Sequence, residues 1–258
     1  MSFDDRTEGE LAGRVALVYG GGGAIGGAAA RGFARRGASV FLAGRSLAPA
    51  ERTAAAIRDA GGTAEAFEVD ALDESAVQSF VDGVARRTGR IDISFNLIGV
   101  GDVQKPLTEL TVDEFLAPIA HTMRTQFLTT RAAARHMMAQ RSGVVLAFGG
   151  SGPQTEPGLG GFKISLDALE GLRRQWACEL GPSGIRVVTL KTGGIPESLP
   201  SDFEGRAELT EMLTEPTLLG RAATLDDVGE VAAFVACDRA RTMTSATVNI
   251  SCGALADH

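Results

Sequence analysis

The sequence predicts a single α/β domain: a doubly wound parallel sheet of about seven strands with helices on both faces. Three observations predict it. Short apolar, β-rich runs alternate with amphipathic helical stretches from residue 14 onward. The first run passes straight into a cluster of glycines. No linker, internal repeat or low-complexity stretch divides the 258 residues. Right-handed crossovers leave few other solutions for such an alternation. The domain takes residues 11–258, and the polar, acidic MSFDDRTEGE before it reads as a flexible tail rather than a signal peptide.

The elements follow in order. RVALVY (14–19) is a continuous apolar run, as a strand buried on both faces requires. An alanine-rich helix over 24–36 comes next, then strand 39–44, helix 48–60, strand 63–69 and helix 73–87. Strand 91–96 precedes two helices, around 111–120 and 122–140. Strand 143–149, helix 160–180 and strand 185–190 follow. A polar segment (196–216), helix 225–237 and strand 246–250 close the chain.

Composition narrows the function classes. A net charge of −7 and a pI near 5.1 argue against a nucleic-acid partner or an anionic membrane surface, and no apolar run reaches the length of a membrane span. Cys178, Cys237 and Cys252 are far apart and form no CxxC pair, so they read as free thiols of a cytoplasmic protein. With only His121, His136 and His258 besides, no metal site is expected.

The glycine cluster carries the first functional signal. Gly20, Gly21, Gly22, Gly23, Gly26 and Gly27 lie between a buried strand and a helix, where backbone N–H groups and the helix dipole together favour a pyrophosphate. The second strand ends in Gly44-Arg45-Ser46, with no carboxylate for a ribose 2′-hydroxyl. An arginine and a hydroxyl there suit a 2′-phosphate, so the expected cofactor is NADP(H).

These residues, with others further on, resemble the short-chain dehydrogenase/reductase family over residues 12–253, in the landmark order of a bacterial 3-oxoacyl-carrier-protein ketoreductase. YGGGGAIG (19–26) is similar to TGxxxGIG. Val69-Asp70 resembles the pair beside the adenine ring, and Asn96-Leu97-Ile98-Gly99 resembles NNAG. Residues 181–197 resemble the stretch ending in PGxIxT, and 219–238 the C-terminal helix. The resemblance implies a Rossmann fold and cofactor contacts from Gly20, Gly22, Gly23, Ile25, Gly26, Arg45, Ser46, Asp70, Ala71, Asn96, Gly99, Lys163 and Ile195. It also implies a homodimer or homotetramer built on helices 122–140 and 160–180, a small-molecule substrate, and a lid at 196–216.

The family's tyrosine relay is where the sequence departs. LGGFK (159–163) stands in place of YxxxK, with Leu159 for the tyrosine and Lys163 kept. Thr122 stands for the asparagine. Gly149 stands for the serine, with Ser151 two residues on. The only tyrosine, Tyr19, ends the first strand, so the phenol has not moved along the helix. Lys163, or a water held by Lys163, Ser151 or Thr122, is left as proton source, which suits a conjugated enone or enoyl thioester better than a ketone. The alternative is an inactive NADP(H)-binding relative acting as sensor or partner subunit. His121, Glu156 and Asp102 read as packed or solvated side chains.

Overall fold

The structure, a computed structural model, describes residues 9–99, 101, 103–149, 155–200 and 203–255. Seven parallel strands form one sheet in the order β3-β2-β1-β4-β5-β6-β7. The strands are β1 (Val15–Tyr19), β2 (Ser39–Gly44), β3 (Thr63–Glu68), β4 (Ile93–Asn96), β5 (Gly143–Phe148), β6 (Ile185–Thr192) and β7 (Ala246–Ile250). The order reverses between β1 and β4, which opens a crevice at the carboxyl ends of those strands.

Alternate residues of β1 feed two separate cores. Ala16 and Val18 pack under α1 (Ala24–Arg35), α2 (Leu47–Asp59) and α7 (Leu225–Ala236). Val15, Leu17 and Tyr19 pack under α3 (Glu74–Thr88), α4 (Val112–Gln140) and α5 (Gly160–Leu180). Both faces of the strand are dry, which explains why its sequence is continuously apolar rather than alternating. Helices α1 and α7 touch backbone to backbone, since a Cβ at Gly32 would collide with the Gly229 carbonyl.

Two sequence expectations are corrected. Residues 111–140 form one helix, not two: α4 starts at a capping box between Thr111 and Glu114 and continues through Pro118. Pro118 lies only two turns into α4 and is buried against α5, where a Cβ at Gly161 would stand 2.7 Å from the Pro118 ring. Packing there outweighs one missing backbone hydrogen bond. The polar segment after β6 also contains a helix, α6 (Arg206–Thr214). Strand ends shift by up to two residues; β6 runs on to Thr192 because it pairs with Ile250 of β7. No helix among the described residues is long and apolar enough to cross a membrane.

Candidate functional site

The turn from β1 into α1 is built by contacts that only glycine permits. Gly20 has φ +77°, and a Cβ there would stand 2.7 Å from the Leu97 carbonyl oxygen. At Gly22 a Cβ would lie 2.6 Å from the Pro49 side chain, and at Gly26 it would strike the Gly20 carbonyl. The turn is tied to β2 by the Gly20 N–H donating to Ala43 O at 2.9 Å. Gly23 caps α1 without a side-chain acceptor, and no acid lies in the first turn. The positive end of α1 is therefore left open to an anion. Ile25, half-buried, packs back into the core and fixes the helix start.

Beside this turn a cavity of about 290 Å³ lies over the carboxyl ends of β1 and β2. It gathers Gly20, Arg45, Asp70, Ala71 and Gly99 from the sequence-predicted set. Arg45 is exposed and forms no ion pair among the described residues, whereas Asp70, also exposed, accepts the Leu72 N–H at 3.0 Å. Ser46 caps α2 without using its hydroxyl. Gly22, Gly23, Ile25, Gly26, Ser46, Asn96 and Ile195 do not line the cavity.

Asn96 acts through its neighbours. It is 2% exposed, donates to Thr129 Oγ1 at 3.1 Å and accepts the Ile98 N–H at 3.0 Å. Its side chain thus shapes the 97–99 turn and leads Gly99 to the cavity. Ile195 is buried just past β6 and closes the core.

The catalytic candidates lie elsewhere. Lys163 sits in the first turn of α5, its N–H bonded to Leu159 O at 2.7 Å, and its ammonium stands 2.7 Å from the Asp167 carboxylate. Leu159 is the N-cap position of the same helix. Leu166 and Leu169 of α5 approach Gly149 just past β5: a Cβ there would stand 2.9 Å from Leu166 and 3.9 Å from Leu169. Thr122 is buried in α4 with its hydroxyl unpartnered among the described residues. Ser151 and Asp102 lie outside the described residues.

The cavity is also lined by residues outside the predicted set, among them Tyr19 at the end of β1 and, from α4, His121 and Thr125. The last two are four apart and so share a helix face, which was the available signal. Among the described residues no group of His, Cys, Asp and Glu could hold a metal ion.

A family model described as enoyl-(acyl carrier protein) reductase, adh_short_C2, matches residues 22–254. The chain belongs to the short-chain dehydrogenase/reductase family. Its curated relatives include cis-4-hydroxycyclohexanecarboxylate dehydrogenase of Sinomonas cyclohexanicum, 30% identical over 93% of this chain and 96% of that protein. A dehydrogenase/reductase from Sinorhizobium meliloti 1021 has a similar structure, with TM-score 0.86 and 29% identity, over 98% of this chain and 100% of that one. An NAD+-bound xylitol dehydrogenase matches at TM-score 0.84 and 25% identity, covering 93% of this chain and 98% of that one. This short-chain dehydrogenase/reductase therefore has the family's Rossmann nucleotide-binding fold, with the glycine turn and the cavity at the switch point of its sheet.

Proposed function

We propose that this short-chain dehydrogenase/reductase binds NADP(H) and reduces a conjugated enone or enoyl-type small molecule without a tyrosine acid. The observation that carries the cofactor reading is the rim of the cavity. Arg45 stands there with no carboxylate partner among the described residues, beside a glycine turn in which Gly20, Gly22 and Gly26 leave no room for a side chain and a helix start with no side-chain cap. Those residues fit a dinucleotide phosphate: the turn and α1 take the pyrophosphate, Arg45 and Ser46 the 2′-phosphate, and Lys163 a ribose hydroxyl.

A bound nicotinamide supplies the hydride. The chain's part is to orient the acceptor and let a proton arrive. Tyr19 is buried in β1 against Phe80, and burial pushes its phenol far above the ordinary range, so it is no proton donor. Leu159, one turn before Lys163, has no proton to give. Protonation falls to Lys163 or to a water held by Lys163, Thr122 or Ser151. An extended enolate, less basic than an alkoxide, tolerates such a weak acid arrangement. The landmark order of a 3-oxoacyl-carrier-protein ketoreductase thus goes with a different acceptor, and the enoyl description of the matched family supports it.

Steady-state NADPH oxidation with enones and dienoyl thioesters tests the reading, with Lys163→Ala as control. Turnover that falls about 10²–10⁴-fold in the control supports it; rates equal to the control contradict it.

A second reading, an NADP(H)-binding sensor or partner subunit without turnover, has its own observation. The Lys163 ammonium is held by Asp167 within its own helix. Either reading suits the cytoplasm, given the free thiols of Cys178, Cys237 and Cys252.

A further inference from the structure

A second cavity, of about 140 Å³, lies at the opposite end of the sheet from the glycine turn. Its walls come from residues that lead into the central strands: Arg14 before β1, Asp92 before β4, Ser142 before β5 and Gly184 before β6. Arg186 of β6 joins them, with Asp238 and Arg241 from the segment after α7. The proposed hydride chemistry uses none of these residues.

Charge is unbalanced there. Asp92 is 3% exposed, and both its oxygens are already engaged. One accepts from Arg14 at 3.1 Å and Arg90 at 2.6 Å; the other accepts from the Val15 N–H at 2.9 Å and Arg90 Nε at 2.7 Å. A carboxylate offers about four acceptor positions, so Asp92 has none left for another cation. Asp238 is mostly exposed and bonds Arg14 at 3.1 Å.

Arg186 is half-buried. It donates to three carbonyls, Val235 O at 2.7 Å, Cys237 O at 3.2 Å and Met243 O at 3.2 Å, and forms no ion pair among the described residues. Burial holds its guanidinium below the usual arginine pKa, as for a cation short of negative charge. Arg241 is exposed and likewise has no ion pair among the described residues. The guanidiniums of Arg14, Arg90, Arg186 and Arg241 thus outnumber the carboxylates of Asp92 and Asp238. A half-buried cation without a counter-charge is costly, and a bound anion lowers that cost. Guanidinium forks match the paired oxygens of a tetrahedral oxyanion. The space also fits, since such an anion takes the place of roughly two or three waters.

We propose that this cavity binds a tetrahedral oxyanion, inorganic phosphate or sulfate, between Arg14, Arg186 and Arg241. Bound there, the anion ties the amino ends of β1 and β6 to the segment leading from α7 into β7, and so stabilises that side of the fold. The site shares no residue with the glycine turn or Arg45, so it stands or falls apart from the dinucleotide reading.

The test is calorimetric titration of the full chain with sodium phosphate and sodium sulfate, with sodium chloride holding ionic strength constant and melting points recorded alongside. Arg241→Gln, Asp238→Asn and Arg45→Ala run in parallel. Arg241 and Asp238 are both exposed, so their variants keep the fold. Wild type should bind either anion, and its melting point should rise with the logarithm of anion concentration, as mass action requires. Arg241→Gln should weaken binding about 3- to 10-fold, as loss of one charged hydrogen bond near solvent does. Asp238→Asn should tighten it about 2- to 5-fold, because a repelling carboxylate is gone. A purely structural cluster would not gain affinity on losing Asp238. Arg45→Ala should leave this binding in place. Binding lost in Arg45→Ala and unchanged in Arg241→Gln would put the anion at the glycine turn and overturn the proposal. A melting point that climbs linearly with salt, equally in wild type and Arg241→Gln, is general salting and overturns it too.

Discussion

The Lys163 ammonium and the Asp167 carboxylate stand 2.7 Å apart on successive turns of α5. Lys163 is the cation proposed to meet the cofactor ribose, so Asp167 competes for it. The pair reaches solvent through Asp167, and such pairs contribute about 0–1 kcal/mol. Asp167→Asn should therefore tighten NADPH binding by up to about fivefold, whereas Lys163→Ala should weaken it. Fluorescence titration reads both. Weaker binding in Asp167→Asn would mean that the carboxylate orients Lys163 rather than competing for it.

Two glycines separate binding from folding. A Cβ at Gly22 would press on Pro49 within the phosphate turn, and one at Gly32 would press on the Gly229 carbonyl, between α1 and α7. Gly32→Ala should destabilise the fold by roughly 1–3 kcal/mol and leave NADPH affinity within about twofold. Gly22→Ala should weaken NADPH binding at least tenfold and also lower the melting point, because its Cβ would press on Pro49 and the Ala50 backbone, so only Gly32→Ala leaves binding intact. Denaturant unfolding alongside titration checks the pair.

Acid should loosen α7 from α1 at Glu230. The hydrogen bond from Arg36 lowers its carboxyl pKa, partly offset by burial, and Arg35 adds to the lowering at 2.7 Å. A depressed folded pKa contributes stability above the unfolded carboxyl pKa of about 4.3. That contribution is lost as pH falls through the lower folded value. Glu230→Gln should melt below wild type at pH 7, and the gap should close as pH drops below about 4. A gap independent of pH would assign the loss to packing.

Phe127 of α4 is 41% exposed, stacked on Trp176 of α5 at 5.7 Å and covered by the Arg131 guanidinium. Met138 of α4 is exposed too, so two large apolar side chains of this helix face solvent. Light scattering at micromolar concentration should find a homodimer or homotetramer, and Phe127→Glu should lower the mass with the fold retained. A wild-type monomer would remove that surface from the proposed assembly.

Much of this was legible in the sequence, for local reasons. Strands buried on both faces, such as Val15–Tyr19, announce themselves as continuous apolar runs, and the glycine turn depends on backbone geometry that few residues allow. The continuity of α4 was not legible: Pro118 disfavours a helix locally, and it packs against Gly161 of α5, far along the chain. Helix α6 buries none of its residues, so it leaves no apolar stripe to read. His121 looked like any packed histidine until α4 was laid across the sheet. Asp167, a partner of Lys163, was visible at a spacing of four, yet only the folded helix shows the ammonium turned toward it.

The most direct measurement is a titration of the purified chain with NADPH and NADH, repeated with Arg45→Ala. NADPH should bind at least about tenfold tighter than NADH, and Arg45→Ala should erase that preference while leaving NADH unchanged, since only the 2′-phosphate contact is removed. Equal binding of the two in wild type, or a preference that survives Arg45→Ala, would contradict the NADP(H) assignment.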